Sequence, residues 1–434
     1  MKEPLVKIVK DFLSTHYQEG RPILLGYSGG VDSTALLSLL IECSFFYPLD
    51  LRVVHFDHGW REESREEALE LKNKVEGLGL KFYSIRSGQT IWKESNKEER
   101  AREERFVFFE TVYKEIGAQA LILAHQREDL AETVLKRFCE GAGILSLGGM
   151  QAKSQYREMT IWRPLLSTSR KLLIEWNKRR GLEAIFDYTN QDLQFLRPRM
   201  RQKIFPELEK WFGKGVQKNI ASLGEEFSML RKYMKERLRP FLDQKIEGPL
   251  GFAIMSQVFL LLDPFEKQEL IRASLQERDV QVGREVIKQI DSLLSSGSFN
   301  KKVDVPKGEL IVDGGNLFWL ARTLEDPWEW EIREEPSKTS HETLLHAFFS
   351  GKISCGDFNG ESVFLCDYSS LESKEQKKAS AFFSQNKIPA TMRRFFPFIK
   401  KKGSVIDFSF LVNKSLFIEK KEGNLNIKLK NISN

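Results

Sequence analysis

The chain has 434 residues, 41% of them hydrophobic and 29% charged, with a formal net charge of +6 and a pI of about 8.9. That length is too great for one ordinary core and predicts two or three domains. No run nears the roughly 18 apolar residues that cross a bilayer, which argues against a membrane protein. Four cysteines (Cys43, Cys139, Cys355, Cys366) stand far apart with no CxxC pair. They are expected to be reduced, partly buried thiols rather than zinc or iron–sulfur ligands.

The N-terminal MKEPLVKIVKDFL alternates charged and apolar residues at helical spacing and has no uninterrupted apolar core. It predicts a helix over Val6 to Phe12 rather than a signal peptide, and hence a cytoplasmic protein. Ile23-Leu24-Leu25 is a β-prone run cut off by Gly26-Tyr27-Ser28-Gly29-Gly30, and an apolar helix pattern starts at Val31. Strand, glycine loop and helix together make an anion site, because unsatisfied N–H groups and the positive dipole end gather at the helix start. Ser28 and Ser33 add hydroxyls. The common GxxxxGK[ST] phosphate loop carries a lysine where this chain has Asp32. A carboxylate beside a phosphate needs a cation between them, which points to Mg2+. An ordinary tight βα turn with a Ser/Asp helix start is the plainer alternative.

Leu51 to Phe56 predicts a second buried strand that runs into Asp57-His58-Gly59-Trp60-Arg61. Open α/β sheets bind ligands at such carboxyl ends, so His58 and Arg61 are candidates for contacting nucleotide. A helix over Glu62 to Leu78 and a third strand over Leu80 to Ile85 follow. The charged run from Glu98 to Phe106 places Arg102 and Arg105 on one helix face, either as phosphate contacts or within a solvated ion-pair lattice. Ala120 to His125 predicts a fourth strand, ending in polar residues. In the helix that follows, Asp129 and Glu132 lie three apart, so both carboxylates face one side, where they could hold a cation or complement the dipole. Alternating strands and helices predict a doubly wound, mostly parallel sheet with these ends on one edge.

Arg163-Pro164-Leu165-Leu166 leads to a helix from about Ser169 to Arg180. In Arg197-Pro198-Arg199-Met200-Arg201, Pro198 argues against a regular helix, and the three arginines are expected to converge on a phosphate or carboxylate from an extended or turning segment. From Phe195 to Lys245 there are thirteen Lys/Arg against six Asp/Glu, and a basic helix pattern runs from Gly215 to Arg239. Such a surplus suits a polyanion partner or a solvated helix face. Helix patterns over Phe265 to Arg278 and Arg284 to Leu294 precede a turn-rich hairpin series over 301 to 321. The predicted domains are an α/β domain (1–212), a mainly helical middle domain with the hairpins (213–330) and a small mixed α/β domain (331–434). In the last, Phe395 and Phe396 beside Arg393 and Arg394 read as a nucleic-acid contact or as core.

Ser28 to Ser33, SGGVDS, resembles the signature of the PP-loop ATP pyrophosphatases, which have a Rossmann-like fold. The succession SGGVDS, VHFDHGWREES, AREERF, LILAHQREDLAET, GAG, RPLL and DYTNQD…RPRMR resembles the landmarks of bacterial tRNA(Ile)-lysidine synthetases over about residues 20 to 205. That resemblance implies that ATP adenylylates C2 of the wobble cytidine of a CAU-anticodon tRNA(Ile). The ε-amine of free L-lysine then displaces AMP, and the codon read changes from AUG to AUA. It implies that Ser28, Gly29, Gly30, Val31 and Ser33 hold phosphates and that Asp32 places Mg2+. Asp129 and Glu132 would meet the lysine ammonium, Arg197 would meet substrate or pyrophosphate charge, and Arg102, Arg105, His125, Arg199 and Arg201 are further substrate or phosphate candidates. A homodimer is possible. The competing expectations are another PP-loop tRNA-modifying enzyme, such as a thiolase or amidotransferase, and a non-enzymatic tRNA-binding protein with a decayed loop. The missing CxxC and the intact SGGVDS count against them.

Overall fold

A computed structural model describes residues 3–59, 64–87, 97–185, 193–322, 330–334, 345, 348–349, 352–355, 363–366, 371–396, 398–401, 404–405 and 425–429. The chain forms two compact units, Met1–Tyr233 and Met234–Asn434.

The first unit is built on a six-stranded sheet. Its strands are β1 (Ile23–Gly26), β2 (Leu51–Asp57), β3 (Lys81–Arg86), β4 (Ala120–Ile122), β5 (Lys153–Tyr156) and β6 (Met159–Trp162), in the order β3-β2-β1-β4-β6-β5. All neighbours pair in parallel except the β5–β6 hairpin. Helices α1 (Pro4–His16), α2 (Val31–Cys43), α3 (Ser64–Gly77), α4 (Lys97–Glu115), α5 (Arg127–Cys139) and α6 (Arg170–Arg179) complete the α/β layers. The central strands β1, β2 and β4 are buried on both faces because both faces are covered. Ile23, Leu25, Val53, Ala120 and Ile122 point into one core with α1, α2, α3 and α6. Their alternates Leu24, Val54 and Leu121 point into a second core with Phe106, Phe109 and Val112 of α4.

The chain adds β2 and β3 on one side of β1 and then crosses to place β4 on the other. The carboxyl ends of β1 and β4 therefore flank the point where winding reverses, the crevice in which such sheets bind ligands.

Two local expectations change here. The sequence patterning contained no sign of the β5–β6 hairpin, whose Met159, Ile161 and Trp162 are buried. Pro198 does not prevent a helix: Leu196–Arg199 (α7) is α-helical, a π-helical turn follows over Met200–Ile204, and α8 covers Phe205–Phe212. Phe195 is the N-cap, so Pro198 lies in the first turn, where backbone N–H groups have no intrahelical acceptor to lose. Met200 and Phe205 are buried against Leu130, Ala131 and Val134 of α5, and this packing fixes the segment. Helix α9 (Val216–Leu242) follows.

The second unit contains a five-stranded antiparallel sheet, with Lys301–Val305, Gly308–Asp313 and Asn316–Ala321 extended by a hairpin of Ile246–Gly248 and Gly251–Ile254 that the patterning missed. Helices Pro264–Gln276 and Arg284–Ser295 accompany it, the first started by an Asp263/Glu266 capping box. Further along, Phe395 and Phe396 are buried, and Phe396 stacks on Phe348 with ring centroids 4.3 Å apart. They are core residues, so the nucleic-acid half of that expectation is withdrawn. Among the described residues no helix is long and apolar enough to cross a membrane.

Candidate active site

The glycine loop closes the end of β1. Gly29 adopts φ +78°, and a Cβ there would come within 2.8 Å of a Leu71 methyl, so the turn requires glycine on both counts. Gly30 is the N-cap of α2, and the Thr34 N–H makes the first helical hydrogen bond to its carbonyl, at 2.9 Å. The N–H groups of Val31, Asp32 and Ser33 precede that bond and are available to an anion. The Ser28 and Ser33 hydroxyls lie 3.1 Å apart, and Ser33 Oγ donates to the Gly30 carbonyl at 3.0 Å. The loop is clamped from outside: Ile185 N–H donates to the Gly29 carbonyl and Asn177 Nδ2 to the Val31 carbonyl, both at 2.9 Å. Neither clamp residue carried a motif that the sequence could have flagged.

Asp32 faces inward from the first turn of α2. Its Oδ1 is buried without a hydrogen bond, 3.7 Å from Arg170 Nε. Burial pushes the Asp32 carboxyl up to about 6, with Asp129 and Glu128 adding to the rise while Arg170 and Arg201 oppose it.

The acid pair sits at the start of α5. Gln126 is fully buried and caps that helix: its Oε1 accepts from the Glu128 N–H at 2.6 Å, and Asp129 Oδ2 accepts from the Gln126 N–H at 3.0 Å. Asp129 and Glu132 are both buried, and a single guanidinium spans them. Arg201 Nη2 is 2.6 Å from Asp129 Oδ1, and Arg201 Nε is 2.5 Å from Glu132 Oε1. Burial pushes Glu132 upward by more than Arg201 draws it down. Of the two partners expected for the arginine run, phosphate or carboxylate, Arg201 takes the carboxylates, as the ion-pair partner of the two acids. The π turn carries its side chain to them.

A cationic wall completes the site. His125 follows β4, and its Nδ1 accepts from Arg163 Nε at 3.1 Å, so its remaining proton is on Nε2. Arg163 Nη1 is anchored on the Gln151 carbonyl at 3.0 Å and on Ser154 Oγ at 2.8 Å. Burial holds His125 well below the usual imidazole range, reinforced by Arg163, Arg197, Arg105 and Arg102 in that order. Burial, with Arg102, likewise lowers Arg163 to about 10. Arg102 and Arg105 both lie against the Phe106 ring. Arg197 is half-buried and acts electrostatically on both His125 and Glu132. Arg199 is exposed. His58 packs edge-on against Phe56 at the end of β2, centroids 4.9 Å apart, while Arg61 lies outside the described residues. Arg163 and Arg170 were missed as site residues. The RPLL landmark marked the place of Arg163, but not the direction of its side chain.

A mostly parallel sheet with a glycine loop, a half-buried aspartate and a cationic wall at its switch point is the layout of an ATP-using PP-loop domain, and residues 1–208 match the PP-loop domain family. Over 423 residues the chain is 28% identical to the tRNA(Ile)-lysidine synthase of Protochlamydia amoebophila (strain UWE25), covering 91% of this chain and 90% of that one. It is 39% identical over 243 residues to the enzyme of that name from Chlamydia caviae, covering 55% of this chain and 75% of the relative. With the Chlamydia pneumoniae protein of the same name it shares 32% identity, covering 67% and 92%. The chain belongs to the tRNA(Ile)-lysidine synthase family.

Proposed function

We propose that the chain ligates free L-lysine to C2 of the wobble cytidine in a CAU-anticodon tRNA(Ile), consuming ATP and releasing pyrophosphate and AMP, in the cytoplasm. The C2 carbonyl oxygen attacks the α-phosphate and expels pyrophosphate. The ε-amine then attacks C2 and expels AMP. The observation that carries this reading is the charge balance of the acid pocket. Asp129 and Glu132 are both buried and share one contacting guanidinium, that of Arg201, while Arg197 acts on Glu132 without an ion-pair contact, so the pair has room for a further cation. An ammonium ion fits that need, and Asp129 and Glu132 would receive it.

Lysine must bind as a cation and react as an amine, which requires a proton acceptor beside it. Glu132, raised by burial, is the group suited to take that proton. The first-turn N–H groups of α2, with Ser28 and Ser33, would hold the ATP phosphates, and the arginine wall with the neutral His125 would receive the charge of pyrophosphate. The orphaned, buried Oδ1 of Asp32 beside that anion site fits Mg2+, which when bound would neutralise phosphate charge. The test is incubation of the protein with ATP, labelled lysine and tRNA transcripts differing only at the wobble base. Label should enter only the CAU transcript, with AMP formed in step. AMP formed without lysine dependence, or label in every transcript, would overturn the assignment.

A further inference from the structure

Helix α8 ends in two large aromatic side chains that face solvent, Trp211 at 72% and Phe212 at 80% exposure. Single exposed apolar residues are common on any surface, but adjacent bulky rings at a helix end need a reason. Trp211 is held in place: its Nε1 donates to Glu207 Oε1 at 2.7 Å, and Lys210 Nζ lies 5.3 Å from its ring centroid. The surroundings are basic. Between 199 and 218, leaving out Arg201, which is turned to the buried acids, the chain carries Arg199, Lys203, Lys210, Lys214 and Lys218 against Glu207 and Glu209. Exposed rings on a positively charged helix end suit a polyanion with accessible bases, because every base offers a face for stacking while lysines meet its phosphates.

The position relative to the site is fixed by continuous helical backbone. Trp211 follows Arg201, the residue spanning Asp129 and Glu132, by ten residues, or about 15 Å of helical rise. With about 3.4 Å per stacked base, that is the span of a few unpaired nucleotides. Neighbouring residues on a helix point about 100° apart, so the two rings offer separate faces to separate bases.

We infer that Trp211 and Phe212 are a stacking platform for unpaired nucleotides flanking the wobble base of the bound tRNA. This rests on the proposed tRNA substrate and adds the place where its loop is held. The lysines beside the rings, Lys210 and Lys214, meet the phosphates of the same nucleotides. A second copy of the chain is the rival occupant.

The experiment uses the full-length protein and two probes: the CAU-anticodon tRNA(Ile) transcript and a minihelix with the acceptor stem but no anticodon arm. Trp211→Ala and Phe212→Ala should each weaken binding of the whole tRNA about tenfold, and KM for tRNA should rise by the same factor. KM for ATP and for lysine should stay put, minihelix binding should not change, and Trp211→Phe should retain most of the affinity. Both positions are exposed, so the variants should melt with the wild type. A double variant that binds tRNA within about twofold of wild type overturns the platform. So does an equal loss on the minihelix, or a change confined to sedimentation, which would identify self-association. Binding is read without turnover. Failure of the lysidine reaction itself shows separately, as wild-type protein that forms no lysine-dependent AMP.

Discussion

Replacing Asp32 with asparagine should make the unliganded protein more stable and leave it inactive. The folded chain holds the Asp32 carboxyl at about 6 against 3.8 for an unperturbed aspartate, because burial disfavours the charged form by more than Arg170 favours it. The native state therefore binds this proton more tightly than the unfolded state does. The destabilisation is full above pH 6 and disappears as pH falls towards 4. A shift of that size corresponds to about 3 kcal/mol at pH 7 and roughly half as much near pH 5. Asparagine keeps the shape and a carbonyl oxygen for Arg170 but carries no charge. Calorimetric melting of the full chain without ATP should place the Met1–Tyr233 transition about 6 °C higher in the variant at pH 7, with the gap narrowing near pH 5. AMP formation in the presence of tRNA and lysine should fall about a hundredfold or more, since the Mg2+ proposed at the phosphates would lose its carboxylate. An Asp32→Asn variant that melts no higher than wild type at pH 7, or a gap that ignores pH, would refute the reasoning.

Arg201→Met removes the guanidinium between two buried carboxylates and should cost roughly 3 kcal/mol in denaturant unfolding, partly recovered at lower pH as Glu132 protonates. Unchanged stability at neutral pH would count against the buried triad. Arg163→Met frees His125 Nδ1, so His125 should titrate nearer the ordinary imidazole range; histidine NMR read against pH would detect the move, and an unmoved resonance would sink the tautomer assignment. Gly29→Ala forces a Cβ against Leu71 at φ +78° and should cost about 1–3 kcal/mol, with KM for ATP raised in steady-state assays. An alanine variant with wild-type stability and KM would show that the loop tolerates another path.

Where periodicity was long, the sequence was legible. Ile23 to Leu25, Leu51 to Phe56 and Ala120 onwards are β-prone apolar runs, and each is followed by glycine or polar residues. The alternation of strand and helix then required a parallel sheet with those ends on one edge. The loop chemistry was legible too, since SGGVDS combines the turn, the helix start and the carboxylate in six residues. Short elements were not. The four-residue strands β5 and β6 and the Ile246–Ile254 hairpin are too short to show a period, and each hairpin is held through one strand by a partner distant in sequence, β6 by β4 and Gly251–Ile254 by Asn316–Ala321. Pro198 misled because a proline in a helix's first turn and a proline that ends a helix read alike until the N-cap is known.

The sequence by itself determined the local elements of the site: a glycine loop at a helix start with a carboxylate in place of a lysine, and two acids three residues apart on one helix face. Tertiary structure decided which groups meet. Asp129 and Glu132 are joined by Arg201 from some seventy residues away, and His125, kept neutral chiefly by burial, is met by Arg163, which directly follows a hairpin that the patterning missed. Spacing along a helix sets which side chains share a face. Which distant charge enters that face, and how strongly burial then moves each proton, depends on packing that brings remote segments within a few ångströms in a medium poorer than water at screening charge.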